Sequence, residues 1–184
     1  MVIDPEQPAD AKPRAHMCLV PKDAIEFLDT WHSTGLRGTG STDFKLTDHR
    51  VPSAHIVGLE VRKMPDTPLF QFPNFTLLAL GIGAVSMGIA RAALNEFVDL
   101  AQQKKRISSS STIAERSHTQ MQIATAEAKL RSARAFYYDS VEQAWERALA
   151  GDTVDVDQRR NLRLATTHAV MASAEVVDCA YNLA

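Results

Sequence analysis

Cysteine is scarce in this chain: Cys18 and Cys179 are the only two among 184 residues, and they stand far apart. A disulfide framework and a cysteine-rich zinc module both need more cysteines than this, at closer spacing. The sequence also lacks the charged and then apolar N-terminal segment that is typical of a signal peptide. We therefore expect a reducing, cytoplasmic location.

An excess of charge of one sign is also missing. Twenty Lys and Arg oppose 22 Asp and Glu, which leaves a formal net charge of −2. Nucleic acids and anionic membranes select basic surfaces, so we expect neither as the main partner. A neutral partner fits this balance better.

Motifs of catalysis and metal binding are few. The spacing Glu115-x-x-His118 occurs in di-iron bundles, but such a site needs the motif twice and two further glutamates. The stretch GIGAVSMG, from Gly81 to Gly88, resembles a dinucleotide-binding glycine loop, but no strand precedes it. We therefore expect no metal site, and we expect these glycines to let a neighbouring helix approach closely.

One long run, residues 70–90, contains no charged residue and is nearly long enough to span a bilayer. Pro73 and Asn74 interrupt its start, Gly, Ala and Ser dilute its apolar content, and Arg91 continues the same pattern into an amphipathic stretch. The run predicts a buried helix of a bundle rather than a membrane span.

The periodicity of the sequence changes once, from β to α. Residues 1–13 contain three prolines and are predicted to form a tail. Residues 14–65 are predicted to be the remnant of a β domain, because residues 16–20 are apolar and residues 43–48 alternate like a half-buried strand. Residues 66–184 have helical periodicity. The predicted fold class is mainly α, an antiparallel bundle of long helices preceded by a short β fragment.

Three helices are expected in this bundle domain, which is incomplete because a fourth helix is missing. The first covers about 73–105 and ends in basic residues. The second runs from a capping box at Thr112 and Glu115 to about residue 150, and the third begins after Asp155, with Gln158 completing its box. In the second helix, apolar and small residues at steps of three or four form one stripe that requires a partner: Met121, Ala124, Ala128, Ser132, Ala135, Tyr138, Val141, Trp145 and Leu149.

The junction between the first two helices contains a cluster of phosphate donors. Lys104, Lys105 and Arg106 are followed by four serines, residues 108–111, and by a predicted helix N-terminus. Arginine, hydroxyl groups and a helix N-terminus together suit a pyrophosphate. A solvated helix end followed by a polar loop explains the same residues, and spacing alone leaves both interpretations open.

The stretch WHSTGLRGTGSTDFKLTDHRVP, from Trp31 to Pro52, followed by a Gly- and Ala-rich helix and a basic turn, resembles the C-terminal half of the acyl-CoA dehydrogenase superfamily. Within it the pattern is most similar to the flavin-dependent monooxygenases, which are two-component hydroxylases of small organic compounds. The resemblance implies a helical C-terminal domain and the end of a β domain. It also implies FAD or reduced FMN in the complete enzyme, a small aromatic or related substrate, a flavin reductase partner and a homo-oligomer, either a dimer or a tetramer.

The resemblance also implies roles for single residues. Arg106 and Ser108 match positions that bind the flavin phosphates, and Arg37, Ser41 and Thr42 match a loop that lines the substrate side. The family's N-terminal domain and final segment have no counterpart in this sequence, so no catalytic residue is assigned and the chain alone is expected to be inactive. Two alternatives stay open: an acyl-CoA dehydrogenase, and a non-enzymatic helical oligomerisation module.

Overall fold

The computed structural model describes residues 16–58, 67–72, 74–105 and 110–184. The chain divides into two compact units, residues 1–64 and residues 65–184. Short strands lie in the first unit and three long helices in the second, which confirms the predicted fold class. The predicted tail, residues 1–13, and the predicted boundary between residues 65 and 66 lie outside the described residues.

The first unit consists of two antiparallel ribbons of two strands each. Strand β1 (His16–Cys18) pairs with β4 (Ile56–Gly58), and β2 (Ile25–Phe27) pairs with β3 (Phe44–Leu46). In the second ribbon Ile25 is opposite Leu46 and Phe27 is opposite Phe44. The loop that joins β2 to β3 carries the three residues predicted to line the substrate side.

The prediction of a half-buried strand at residues 43–48 is wrong for this structure. Phe44 and Leu46 alternate as expected, but their exposed fractions are 62% and 36%. None of the described residues between 16 and 58 is buried. A two-stranded ribbon buries a face only when a second layer covers it, and the described part of this unit supplies no such layer.

The second unit is a three-helix bundle of α1 (Asn74–Gln103), α2 (Ser117–Leu149) and α3 (Val156–Leu183). Helix α2 runs antiparallel to α1, because Tyr137 in its second half contacts Leu80 near the start of α1. It also runs antiparallel to α3, since Lys129 pairs with Glu175. The core contains side chains from all three helices: Leu80, Met87, Leu94, Leu130, Tyr137, Leu162 and Val176.

Helix α1 contains most of the charge-free run identified in the sequence and contributes Leu80, Met87 and Leu94 to the core. Only 28% of its most apolar window is buried, so the prediction of a buried bundle helix holds for one side of the helix. Within the described residues it is the one helix long and apolar enough to cross a membrane. That test rests on length and composition alone, and core helices of soluble proteins also pass it.

The start of α2 differs from the prediction. The helix begins at Ser117, five residues after Thr112, and its N-cap Arg116 makes no side-chain capping bond. Half of the predicted capping box does form, because the Thr112 N–H donates to the Glu115 carboxylate at 2.9 Å. The box closes a turn that precedes the helix rather than its first turn.

The reason is that the residues after Thr112 cap α1 instead. The Ile113 N–H donates to the Lys104 carbonyl and the Ala114 N–H donates to the Ala101 carbonyl, each at 3.0 Å. The last carbonyls of a helix have no partner within it, so this segment satisfies groups that would otherwise stay unpaired. By contrast, the predicted box of α3 is confirmed: the Gln158 N–H donates to the Asp155 carboxylate at 2.8 Å, and the Asp155 N–H donates to the Gln158 side chain.

The stripe predicted on α2 is not its buried face. Every member of that stripe is exposed except Val141, which is half-buried. The buried face lies at neighbouring positions: Thr119, Ala126, Leu130, Ala133, Tyr137, Ser140, Ala144 and Ala148. Helix α2 therefore has two sides rich in small and apolar residues, of which the bundle covers one.

The glycines of α1 differ in how closely neighbouring helices approach them. A Cβ atom added at Gly83 would lie 3.0 Å from Tyr137 and 3.1 Å from Thr166, whereas Cβ atoms at Gly81 and Gly88 would meet open space. The predicted close helix approach is therefore correct at Gly83 only.

Candidate functional site

The site residues predicted from the sequence fall in two places. Arg37, Ser41 and Thr42 lie in the loop between β2 and β3 of the first unit. Arg106 and Ser108 lie outside the described residues, so their role in binding flavin phosphates stays a prediction. Each place is described by itself below.

Two threonines close the base of the β2–β3 loop. The Asp43 N–H donates to the Thr30 hydroxyl at 2.9 Å, and the Thr30 N–H donates to the Thr42 hydroxyl at 3.2 Å. The Thr42 hydroxyl in turn donates to the Leu28 carbonyl. These bonds extend the pairing of the ribbon beyond its strands, so the loop leaves β2 and returns to β3 with both ends held.

The tip of the loop is organised around one carbonyl, that of Leu36. The Trp31 indole N–H donates to it at 3.1 Å, the Thr39 N–H at 3.1 Å and the Thr39 hydroxyl at 2.9 Å. Leu36 itself has the left-handed backbone conformation, with φ 55° and ψ 27°. A bulky residue with positive φ is an outlier that persists only when its surroundings impose it.

The three predicted substrate residues have different environments in this loop. Arg37 begins a short 3-10 turn, Arg37–Thr39, and is exposed. No ion pair of Arg37 is found within the described part of the chain. The Ser41 hydroxyl pairs with that of Thr39 at 2.9 Å, and the Thr42 hydroxyl holds the loop base. Arg37 is thus the member of the set for which no side-chain hydrogen bond or ion pair is found within the described residues.

Sequence reasoning missed the residues that shape this loop: Trp31, Leu36 and Thr39. Among the glycines of this loop only Gly40 has a positive φ, at 57°. A hydrogen bond from a side chain to a backbone carbonyl produces no periodic pattern in the sequence. The bond between Trp31 and Leu36 therefore could not be predicted from their spacing.

Described residues lie on both sides of the predicted phosphate site in the sequence. Lys105 and Thr112 form an antiparallel bridge. The Lys104 ammonium donates to the Ala184 carbonyl and so serves to hold α3 beside α1. The expected contribution of a helix N-terminus is displaced, because α2 starts only at Ser117. The predicted contribution of a helix N-terminus at Thr112 is therefore wrong, and the roles of Arg106 and Ser108 stay predictions.

Arg91 of α1 and Glu127 of α2 form a bidentate ion pair. The Arg91 guanidinium donates two hydrogen bonds to the Glu127 carboxylate, at 2.6 and 2.9 Å. These bonds lower the pKa of Glu127 below its ordinary value and raise that of Arg91. The pair joins α1 to α2 at the rim of the core, which is a structural role.

The described surfaces offer little other chemistry. Among the residues described, no group of three or more His, Cys, Asp or Glu could hold a metal ion. Arg134 stacks over the Tyr138 ring at 4.5 Å beside a shallow, open concavity on α2. The described candidate site is therefore the β2–β3 loop, and the phosphate site at Arg106 and Ser108 stays a prediction.

Comparison with known sequence families assigns the helical unit. The family described as acyl-CoA dehydrogenase, C-terminal domain, matches residues 80–184, which is more than half of the chain. This chain belongs to the acyl-CoA dehydrogenase family. The resemblance seen in the sequence is thereby confirmed.

Known relatives within the family are oxygenases. An indole-3-acetate monooxygenase of Pseudomonas putida is 38% identical over 167 residues, which cover 91% of this chain and 43% of that protein. A protein of the same name from Acinetobacter baumannii is 34% identical, covering 87% of this chain and 41% of that protein. The chain therefore spans less than half the length of these curated relatives.

A further relative names its cofactor. The FADH(2)-dependent resorcinol hydroxylase, oxygenase component, of a Rhizobium species is 30% identical over 100 residues, covering 50% of this chain and 24% of that protein. Among solved structures, the 3-HSA hydroxylase of Rhodococcus sp. RHA1 superposes with a TM-score of 0.79 at 20% identity, covering 94% of this chain and 47% of that one. This likeness confirms the fold in both units.

Proposed function

We propose that this chain forms the helical domain and the adjoining β segment of a flavin-dependent monooxygenase that hydroxylates an aromatic substrate. The observation that carries the proposal is the 38% identity to an indole-3-acetate monooxygenase across 91% of the chain. The matched residues include both the β2–β3 loop and the helical bundle. A dehydrogenase acting on acyl-CoA is the alternative within the same family, and the relatives named above favour the oxygenase.

The cofactor of this proposed enzyme is reduced flavin, as in the relative named for its FADH2 dependence. When bound, reduced flavin would supply the two electrons with which one atom of O2 enters the substrate and the other leaves as water. Arg106 and Ser108 would hold its phosphates, since a guanidinium and a hydroxyl are the donors that phosphate oxygens accept. Lys105 and Thr112, which lie on either side of these two residues in the sequence, form an antiparallel bridge.

The substrate side is assigned to the β2–β3 loop. Arg37 presents an exposed guanidinium, which can bind a carboxylate through two parallel hydrogen bonds. Indole-3-acetate, the compound that names the relatives, carries such a carboxylate on a methylene group attached to its aromatic indole ring. Since the resorcinol hydroxylase is an oxygenase component, we also propose a separate flavin reductase as partner, in a reducing cytoplasmic setting where Cys18 and Cys179 stay thiols.

The flavin assignment is tested in a complete enzyme, made by joining this chain to the part of the Pseudomonas putida relative that it lacks, and titrated with reduced FAD and reduced FMN under anaerobic conditions. Arg106→Ala should weaken binding about ten- to a hundredfold, the effect of losing a charge-assisted bidentate contact. Arg106→Lys should recover part of the loss, because lysine keeps the charge without the planar fork. The matched control is Arg163→Ala, which removes an exposed arginine from α3. Equal affinities for Arg106→Ala and Arg163→Ala would contradict the phosphate role.

The reaction class is tested with a chimera in which this chain replaces the aligned part of the Pseudomonas putida enzyme. Supplied with reduced flavin and O2, the chimera should consume indole-3-acetate and yield a product that contains one atom of ¹⁸O from labelled O2. Oxidation of an acyl-CoA with an electron acceptor, and no oxygen incorporation, would instead support the dehydrogenase.

We also propose self-association as a dimer or tetramer. Large side chains along one side of α1 are mostly exposed, with fractions of 58–82%: Phe75, Leu78, Ile82, Val85 and Ile89. A continuous apolar stripe of this kind is typical of a protein interface. Ile82→Lys should dissociate the assembly in light scattering, whereas Met171→Lys, at an exposed position of α3, should not. A monodisperse monomer of the wild-type chain would contradict this proposal and would equally remove the alternative of a helical oligomerisation module.

A further inference from the structure

Most hydroxyl groups of the β2–β3 loop form hydrogen bonds within the loop itself. The hydroxyls of Thr30 and Thr42 hold its base, that of Ser33 donates to the Gly35 carbonyl, and that of Thr39 donates to the Leu36 carbonyl. A loop that satisfies its backbone with its own side chains has little freedom to rearrange when a ligand arrives. Its outward groups are therefore presented in fixed directions.

Two neighbouring side chains form the outward part of the tip, Leu36 and Arg37. The Leu36 side chain has an exposed fraction of 78%, and Arg37 is exposed beside it. An exposed leucine contributes little to folding, and a left-handed backbone opposes folding unless glycine or asparagine occupies the position. The combination of backbone strain with an exposed apolar group is typical of a residue kept for contact with a ligand.

We propose that Trp31 and Thr39 are positioning residues for substrate selection. Their three hydrogen bonds to the Leu36 carbonyl hold Leu36 in the left-handed conformation, and this conformation sets the direction in which the Leu36 and Arg37 side chains leave the backbone. The resulting pair, one apolar group next to one guanidinium, suits an aromatic acid, whose ring contacts Leu36 and whose carboxylate accepts from Arg37. This inference rests on the proposed function, since it concerns the substrate of that site.

Loss of either positioning residue should leave the Arg37 guanidinium in place but change the direction in which its side chain leaves the backbone. Trp31→Phe keeps an aromatic ring and removes the indole N–H, and Thr39→Val keeps the shape of the side chain and removes the hydroxyl. Thr39→Ser restores the hydroxyl and so provides a rescue. Leu36→Gly keeps a residue that accepts positive φ and removes the apolar contact.

The probes are indole-3-acetate and its neutral amide, indole-3-acetamide, with affinities for the purified chain measured by ligand-observed NMR. The wild-type chain should prefer the acid. Arg37→Gln should lower the ratio of the two affinities about tenfold, the effect of losing a charge-assisted bond. Trp31→Phe and Thr39→Val should each lower it about threefold, as expected for one neutral hydrogen bond, and Thr39→Ser should return it to the wild-type ratio. Leu36→Gly should weaken both probes equally.

The ratio separates positioning from general destabilisation, because a partly unfolded loop would lose both probes alike. An unchanged ratio in Trp31→Phe and Thr39→Val, with Arg37→Gln effective, would overturn the positioning role and leave the proposed function standing. A wild-type chain that binds neither probe would overturn the inference together with the aromatic-acid substrate. Flavin binding and oxygen incorporation would still test the monooxygenase assignment separately.

Discussion

Replacement of Gly83 by alanine tests the packing of the bundle at its tightest point. The added Cβ would lie 3.0 Å from a ring carbon of Tyr137 and 3.1 Å from the Thr166 methyl group. Neither neighbour can move aside easily: the Tyr137 hydroxyl donates to the Leu80 carbonyl at 2.7 Å, and the Thr166 hydroxyl donates to the Leu162 carbonyl at 2.7 Å. Both side chains are also buried. The methyl group therefore has to displace atoms that are held in place.

The magnitude follows from two opposing terms. Overpacking a buried contact costs roughly 1–3 kcal/mol, and replacing glycine by alanine inside a helix returns roughly 0.5–1 kcal/mol. We expect Gly83→Ala to lower the free energy of unfolding by about 1–2 kcal/mol. Gly81→Ala and Gly88→Ala are matched controls in the same helix, where the added Cβ meets open space. They should raise the free energy of unfolding by about 0.5–1 kcal/mol.

Urea unfolding followed by far-ultraviolet circular dichroism measures these differences, since the helices of the bundle dominate that signal. With a typical urea dependence, the midpoints of Gly83→Ala and Gly88→Ala should differ by about 1 M. In a Tyr137→Phe background the ring loses the bond that holds it, so Gly83→Ala should cost less than in the wild type. Equal midpoints for all three glycine variants would refute the argument from close approach.

Three further outcomes concern single side chains of the bundle. Glu127→Gln should lower the free energy of unfolding by about 1 kcal/mol at neutral pH, because it breaks the bidentate pair with Arg91. The Arg91 bonds lower the folded-state pKa of Glu127 from 4.5, so this contribution is complete above that value and is lost as the pH falls through the lowered pKa, where the unfolding curves of variant and wild type should converge. Ser173→Ala should leave stability unchanged or raise it by up to about 1 kcal/mol, since the Ser173 hydroxyl is buried without a hydrogen-bond partner among the described residues; a clear loss in thermal unfolding would count against this. Asp155→Ala should cost about 1 kcal/mol and Asp155→Asn less, because asparagine still accepts the Gln158 N–H; equal melting temperatures would show that the cap is dispensable.

Helix positions could be predicted where the deciding interactions are local. The capping box of α3 depends on Asp155 and Gln158, three residues apart, and it forms as predicted. The box expected at Thr112 and Glu115 also has the right local spacing, but α2 does not start there. The residues that follow Thr112 cap α1 instead, and this tertiary interaction cannot be seen in the spacing of the residues.

The buried face of α2 shows a second limit. Alanine and serine recur on both of its sides, so hydrophobic periodicity alone does not rank one side above the other. The side that faces the core is the one that contains Leu130 and Tyr137, and Tyr137 is selected there by Gly83 of α1, which leaves room for its ring. Complementarity between two helices therefore decided the orientation, and a single helix contains only half of that information.

The geometry of the β2–β3 loop could not be predicted from the sequence, and the roles of its residues stay predictions. The predicted role of Arg37 comes from the family resemblance alone, because Arg37 occupies a matching position in the motif between Trp31 and Pro52. The conformation that presents it depends on three bonds to one carbonyl, two of them from the side chains of Trp31 and Thr39. Such bonds need only a donor within hydrogen-bonding distance and impose no periodicity on the sequence. They therefore cannot be recognised from the sequence alone. Leu36, with φ 55°, is informative for the same reason. A leucine does not favour the left-handed backbone conformation, so the surrounding contacts impose it. If Arg37 binds the substrate as proposed, a change in those contacts should be detected first in the ligand preference of Arg37.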